Sequence, residues 1–237
     1  MSGLPALRQA RTAALLAVGL LFNITCAQAQ SVNIGKAPVV RNDVRGALAS
    51  GTVSLHAGDS VFRDEGMRTG DDSEAKLVFL DNTNLVLSPN ASVRLDTFVY
   101  SGDRGAQAIG MNLTKGVFRF VTGKADKSAY RINTPVATIG VRGTQLDIVV
   151  IRGRTSVTLL EGEAIVCPRR KPQDRRRGCV VLNHPYEQAV VTADGTTSKG
   201  IGQPPFQAYC GAAAGLCVAS SYDSNLQYAG TGALCGR

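Results

Sequence analysis

Between Cys167 and Cys179 the chain places Arg169, Arg170, Lys171, Arg175, Arg176 and Arg177 against a single acid, Asp174. Six cations on one short segment can hold phosphate or carboxylate groups, with a reach of about 8 Å at physiological salt. The two cysteines can close that segment into a loop. Each adjoins a strand-like run, residues 164–166 and 180–182, so their pairing would staple a hairpin. In the chain-entropy account such a closure contributes about 3 kcal/mol. The plain alternative is a solvated hairpin tip, which is what most charge runs are. Nucleic acid is a poor partner for this loop, because no aromatic residues interleave its charges.

Catalytic chemistry has little to work with. The chain holds two histidines, His56 and His184, and no nucleophile elbow, zinc-protease or phosphate-loop motif. It has no Cys-x-x-Cys metal site. Asp71, Asp72 and Glu74 would suit a hydrolase acting on an envelope polymer only if a cleft gathered them, and they sit at an apparent turn. No catalytic, cofactor-binding or metal-binding residue is therefore assigned, and the chain reads as a non-enzyme that needs no cofactor.

Residues 1–29 read as a secretory signal peptide. Arg8 and Arg11 form the positive start, and residues 13–24 form an apolar run too short for a comfortable membrane span. Ala27-Gln28-Ala29 supplies the small residues before a cleavage after Ala29. The expected location is thus the periplasm or the exterior, with no transmembrane segment in the mature chain. Cleavage removes two positive charges and no acid, taking the net charge from +8 to +6, and the basic loop accounts for five of those six. In an oxidising compartment cysteines pair. The mature chain keeps an odd number: Cys167, Cys179, Cys210, Cys217 and Cys235. Cys167 with Cys179 is the expected bridge, and Cys210 with Cys217 is one of three pairings open to the last three.

The elements that must position these groups read as β. From Gly51 onward apolar residues alternate with polar ones, and turn dipeptides such as Gly58-Asp59, Gly70-Asp71 and Asp81-Asn82 recur. Leu146, Ile148 and Val150 alternate with Gln145, Asp147 and Val149, and Gly153-Arg154 separates this run from residues 156–160. Residues 30–50 form an N-terminal lead with little pattern, 51–195 a β domain, and 196–237 a cysteine-rich C-terminal extension after Pro204-Pro205 in which residues 206–219 could be a short helix. Spacing alone leaves sandwich, barrel and solenoid open.

A series of short motifs, in order, narrows this. Gly58-Asp59-Ser60-Val61, Met67-Arg68-Thr69-Gly70, Asp81-Asn82-Thr83 and Leu87-Ser88-Pro89-Asn90 come first. Leu113-Thr114-Lys115-Gly116, Thr134-Pro135-Val136-Ala137, Val141-Arg142-Gly143-Thr144 and Leu160-Glu161-Gly162-Glu163 follow. The series resembles the FecR domain over roughly residues 55–168. Asn82 stands where that family usually has glycine, and Asn tolerates the left-handed conformation such a turn needs. The resemblance implies an exported, all-β module folded as an irregular β-solenoid, with a β-sandwich as the alternative. In the best-known members the module senses an outer-membrane receptor and relays to a cytoplasmic sigma factor. Those members carry a cytoplasmic segment and a membrane helix where this chain has its leader, so the relay is not expected here. The expected role is a periplasmic binding or scaffold protein for an envelope protein, possible also in envelope signalling. The alternative is a binder of lipopolysaccharide or anionic lipid through residues 169–177. Gly70, Thr134, Pro135, Arg142, Gly143, Thr144 and Gly162 are expected to shape turns, with Pro135 at a strand start and Arg142 either capping carbonyls at a corner or meeting a partner.

Overall fold

A computed structural model of the chain describes residues 31–100, 106–126, 128–169 and 178–206. The expected leader, the basic-loop residues Arg170, Lys171, Arg175, Arg176 and Arg177, and the cysteines Cys210, Cys217 and Cys235 lie outside the described residues, as does all but the first residue of the suspected helix.

The described elements are fifteen strands. They are β1 (Asn33–Arg41), β2 (Val44–Leu48), β3 (Gly51–Ser54), β4 (Ser60–Phe62), β5 (Gly66–Thr69), β6 (Glu74–Phe79), β7 (Asn84–Leu87) and β8 (Ser92–Tyr100). β9 (Ala106–Val121), β10 (Tyr130–Asn133), β11 (Ala137–Ile151), β12 (Arg154–Pro168), β13 (Val180–Leu182), β14 (Glu187–Thr192) and β15 (Thr197–Ile201) follow. All join in one hydrogen-bonded sheet. The β9–β10 pairing is parallel, whereas the long neighbours β11–β12, β9–β11 and β8–β9 are antiparallel.

Three long strands, β9, β11 and β12, give the sheet its shape, because each pairs with different partners along its two halves. Residues 116–121, 145–151 and 154–159 belong to one wing, ordered β15–β14–β12–β11–β9–β7–β6–β1–β4. Residues 106–113, 137–142 and 161–168 belong to a second wing, ordered β13–β12–β11–β10–β9–β8–β5–β2–β3. The bends fall at glycines. Gly162 has φ of 85°, and a Cβ there would lie 1.8 Å from the Gly143 carbonyl oxygen, so β11 and β12 turn together with their backbones in contact. Gly116, at φ 118°, bends β9 against Ala91, whose Cα would lie 2.6 Å from an added Cβ.

The inner faces of both wings feed one core. Leu85, Phe118, Phe120, Leu146 and Ile148 come from the first wing, and Val93, Leu95, Ile109, Met111, Ile139 and Val166 from the second, all of them buried in one cluster. Two ring contacts bridge the wings: Phe79 with Phe98 at 4.8 Å and Phe120 with Tyr130 at 5.9 Å between centroids. Such pairs contribute about 0.5–1.5 kcal/mol beyond their burial. A buried polar knot supports the same join. The Tyr130 hydroxyl donates to Asp81 Oδ2 at 2.7 Å and accepts from the amides of Gly123 and Ala125, while Thr83 Oγ1 donates to the same carboxylate. Burial pushes the Tyr130 phenol up to about 12.

The all-β expectation holds; the solenoid is not what the pairings describe. A stack of coils pairs neighbours in parallel, whereas the described strands form one open mixed sheet, largely antiparallel. The lead at residues 30–50 was expected to carry little pattern beyond Val39-Val40, and it contains β1 and β2. A bulge between Lys36 and Val39 breaks the alternation in β1, which hid the strand that buries Ile34 and Ala37. Arg142-Gly143-Thr144 is no chain-reversing turn; it is the bend inside β11, and its register against β12 shifts there. Pro135 sits in the connection between β10 and β11, two residues before the strand it was expected to start. Asn82 does take the left-handed conformation, at φ 66°. After the turn at residues 193–196 the chain adds β15 to the sheet edge.

Candidate functional site

Register places side chains in rows across each wing, and the two outer faces differ. On the first wing one row reads Lys76, Val86, Arg119, Asp147, Thr158 and Gln188, from β6 through β7, β9, β11 and β12 to β14. Arg119 and Asp147 form a two-pronged ion pair, Nε to Oδ1 at 2.8 Å and Nη2 to Oδ2 at 3.0 Å, with side chains 7% and 0% exposed. The chain itself covers them. Gly202 donates its amide to the Tyr186 carbonyl and lies against Gln188, where an added Cβ would stand 2.4 Å from Nε2. Phe206 then donates its amide to Asp147 Oδ2 at 3.1 Å, and its ring lies 4.9 Å from the Arg119 guanidinium carbon. Val86, Val117, Val39 and Val149 pack round it. Residues 202–206 therefore strap this face. Beside the strap a small cavity of about 210 Å³ is lined by Val149, Ile151, Arg154, Ser156 and Gln188.

The outer face of the second wing is open. One row reads Thr97, Gly110, Arg131, Gly140, Ile165 and Val181, from β8 to β13. Arg131 thus stands between two glycines, and the floor beside it has no side chain. Thr97 and Ile165 lean toward those gaps: a Cβ on Gly110 would meet Thr97 Cβ at 3.1 Å, and one on Gly140 would meet Ile165 Cγ2 at 3.0 Å. The result is a groove of about 1080 Å³ lined by Arg131, Arg142 and Arg169, by Asp96 and Glu163, and by Asn133 and Thr138 among others. Arg131 and Arg142 are exposed, and among the described residues neither has an ion-pair or hydrogen-bond partner. Arg142 and Glu163 are cross-strand neighbours that form no ion pair. Ile165 and Val181, 45% and 43% exposed, extend the row with apolar surface.

Arg169 is the one basic-loop cation among the described residues. Its amide donates to the Val136 carbonyl at 2.7 Å and its Nη1 to the Thr134 carbonyl at 3.1 Å, which pins it at the groove rim. Cys167 lines the groove and is disulfide-bonded to Cys179, stapling β12 to β13. Thr134 closes the β10–β11 connection: its Oγ1 accepts the Ala137 amide at 2.9 Å and the Thr155 hydroxyl at 2.8 Å. Thr144 exchanges backbone and side-chain bonds with Thr122 across the bend. Gly70 is not in the left-handed region; it is needed for close approach, with Ser73 Oγ 3.0 Å from an added Cβ. The groove residues Arg131, Gly110 and Gly140 were missed in the sequence, where an exposed arginine in a strand and two isolated glycines carry no signal before the register is known.

The carboxylates that a hydrolase would need do not meet in the groove. Asp71 and Asp72 are exposed at the turn before β6, while Glu74 is buried with Oε2 lacking a partner among the described residues. Burial raises the Glu74 and Glu65 carboxyls above their ordinary value. His56 and His184 are exposed beside Asp59 and Glu187 on separate turns. Glu187, by contrast, is lowered to about 2, first by its bond from Lys199 and then by the Asn183 amide.

Among the described residues no helix is long and apolar enough to cross a membrane, and no group of His, Cys, Asp or Glu could hold a metal ion. No curated protein sequence matches the chain. Two crystal structures of a candidate anti-sigma factor from Parabacteroides distasonis are similar to it, each at 16% identity, with TM-scores of 0.47 and 0.45. Each match covers 59% of this chain and 60% of that protein, less than two thirds of its length. The sequence model described as FecR protein matches residues 65–164, from the start of β5 through all three glycine bends to the middle of β12. Residues 65–164 of this chain thus carry a match to the FecR family.

Proposed function

We propose that the protein is a non-enzymatic binding or scaffold module of the bacterial envelope that acts by protein–protein contact, in a setting of envelope signalling. The observation that carries this reading is the groove on the second wing: open, with two exposed arginines whose side chains have no partner among the described residues. The leader at residues 1–29, cleaved after Ala29, would bring the chain to the periplasm or beyond, consistent with a bridged cysteine pair. Its test is a photoreactive side chain placed at Thr138, on the groove floor, in the full chain expressed in its own envelope. One discrete cross-linked protein is the expected result, and cross-links no different from those of a position on the strapped face would overturn the reading. Amino-terminal sequencing of the exported chain should begin at Gln30.

A second reading has one observation in its favour: Arg169 anchors the start of the basic run at the rim of the groove. In that reading residues 169–177 hold lipopolysaccharide or anionic lipid. Replacing the six cations with Ser should then abolish retention on lipopolysaccharide, and salt-insensitive retention by that variant would remove it.

A further inference from the structure

Resting on the binding-module reading, we infer that the groove accepts an extended acidic segment of a partner protein, laid along β10 and β11 with carboxylates on alternate residues. Three observations converge. First, the cations are spaced along the strand direction. Arg131 faces Gly140 across the ladder, and Arg142 lies two residues further along β11. Two residues along and one strand across separate their backbones by on the order of 8 Å, close to the repeat of same-face side chains on an extended chain. Arg169 continues the series at the other end, four residues beyond Ile165, the neighbour of Gly140. A guest strand with acidic residues at i and i+2 matches the first pair, and a third acid further along reaches the rim.

Second, the floor admits a backbone. Gly110 and Gly140 flank Arg131 with no side chain of their own and only Thr97 and Ile165 leaning toward them, so the floor beside the cation stays low, with Asn133 and Thr138 at hand as hydrogen-bonding side chains. Beside the cations, Ile165 and Val181 offer apolar contact for the side chains between the acids. Third, the groove also holds two acids, Glu163 directly across the ladder from Arg142, and Asp96, which pairs with Arg94 and accepts from Asn112. An anionic bilayer would press many charges on these acids at once, whereas a single chain can set its carboxylates on the arginines and an uncharged residue beside Glu163. Complementary charge of this kind chiefly sets encounter rate and register, so binding should be strongly salt-dependent.

The experiment uses the full chain and a short fluorescent peptide alternating Glu with Thr, its Gln-for-Glu counterpart, and phosphatidylglycerol vesicles. The Glu peptide should bind, the Gln peptide should not, and high salt should weaken binding. Arg131→Glu should weaken it by at least about tenfold, since reversal of an interfacial charge costs several-fold more than its removal. Gly140→Val, which leaves the charge alone and fills the floor, should weaken it as well. Unchanged circular dichroism and melting temperature establish that both variants fold. Equal binding of the two peptides, or of wild type and Arg131→Glu, overturns the inference, as does binding to vesicles with none to the peptide. If the peptide fails while the photoreactive Thr138 position still captures a discrete protein, the acidic-strand chemistry falls and the binding module stands. If both fail, both fall.

Discussion

Arg119 and Arg131 stand on neighbouring strands of one sheet, yet one is sealed inside the molecule and the other faces solvent. Arg119 has Asp147 across the ladder, accepts the Phe206 ring as a roof and is 7% exposed. Arg131 has glycine on both sides and, among the described residues, no partner. The residue type is the same; what lies across the strand decides its role. A carboxylate opposite makes the cation part of the fold, and a bare backbone leaves it available to something outside. Both arginines lie inside the FecR match, while the roof at Phe206 and the rim at Arg169 and the disulfide lie beyond it.

The sharpest way to break this contrast is to remove the partner of the buried cation. Asp147→Ala should cost about 3–5 kcal/mol in urea denaturation, because it strands a buried guanidinium. Replacing the pair with Met at 119 and Leu at 147 should recover most of that loss. A cost for Asp147→Ala within the range of surface changes would mean the covered face is no different in kind from the open one. Phe206→Ala should cost about 3 kcal/mol, from lost packing and from the cation–ring contact. It should also make the Arg119 side chain accessible to a guanidine-specific reagent.

Titration gives a smaller effect. Burial raises Glu65 and Glu74 above the ordinary 4.5, so the folded state holds their protons more tightly than the unfolded chain. The contribution of these two groups is therefore fully present below that ordinary value and is lost as the pH rises through the folded values. Glu187 and Asp194, lowered to about 2, act in the opposite sense: their contribution is complete above their ordinary values of 4.5 and 3.8 and is lost as the pH falls from there to about 2. Denaturation midpoints should decline between mildly acidic and neutral pH in the wild type and stay flat in the Glu65→Gln, Glu74→Gln double variant. The smallest effect belongs to the open face. Arg131→Ala should change stability by no more than about 0.5 kcal/mol, as for any exposed residue without contacts. A larger loss would show that the groove arginine is structural after all.

Much of the architecture was legible in residues 51–195. Ala75, Leu77 and Phe79 alternate and are buried; Asp81-Asn82 turns with Asn82 in the left-handed region; Cys167 and Cys179 bridge where their flanking runs predicted a stapled pair. What escaped notice had a physical cause. β1 is bulged, so its alternation slips partway along. β15 buries none of its residues, so it carries no apolar pattern at all. The bend at Gly143 was legible as a glycine that mattered, yet a bend inside a strand and a turn between strands use the same residues.

Site and scaffold differ in the same way. Alternation, turn residues and cysteine spacing act between near neighbours in the chain, and they settle in advance that this protein is a β-sheet with a stapled hairpin. Which arginine is buried depends on pairings between residues 28 apart, as Arg119 and Asp147 are, or on a register that brings Gly110 and Gly140 to either side of Arg131. A slip of one residue in any of those ladders would move each side chain to the opposite face. Composition cannot carry that information, so the open groove and the strapped face came into view only with the folded sheet.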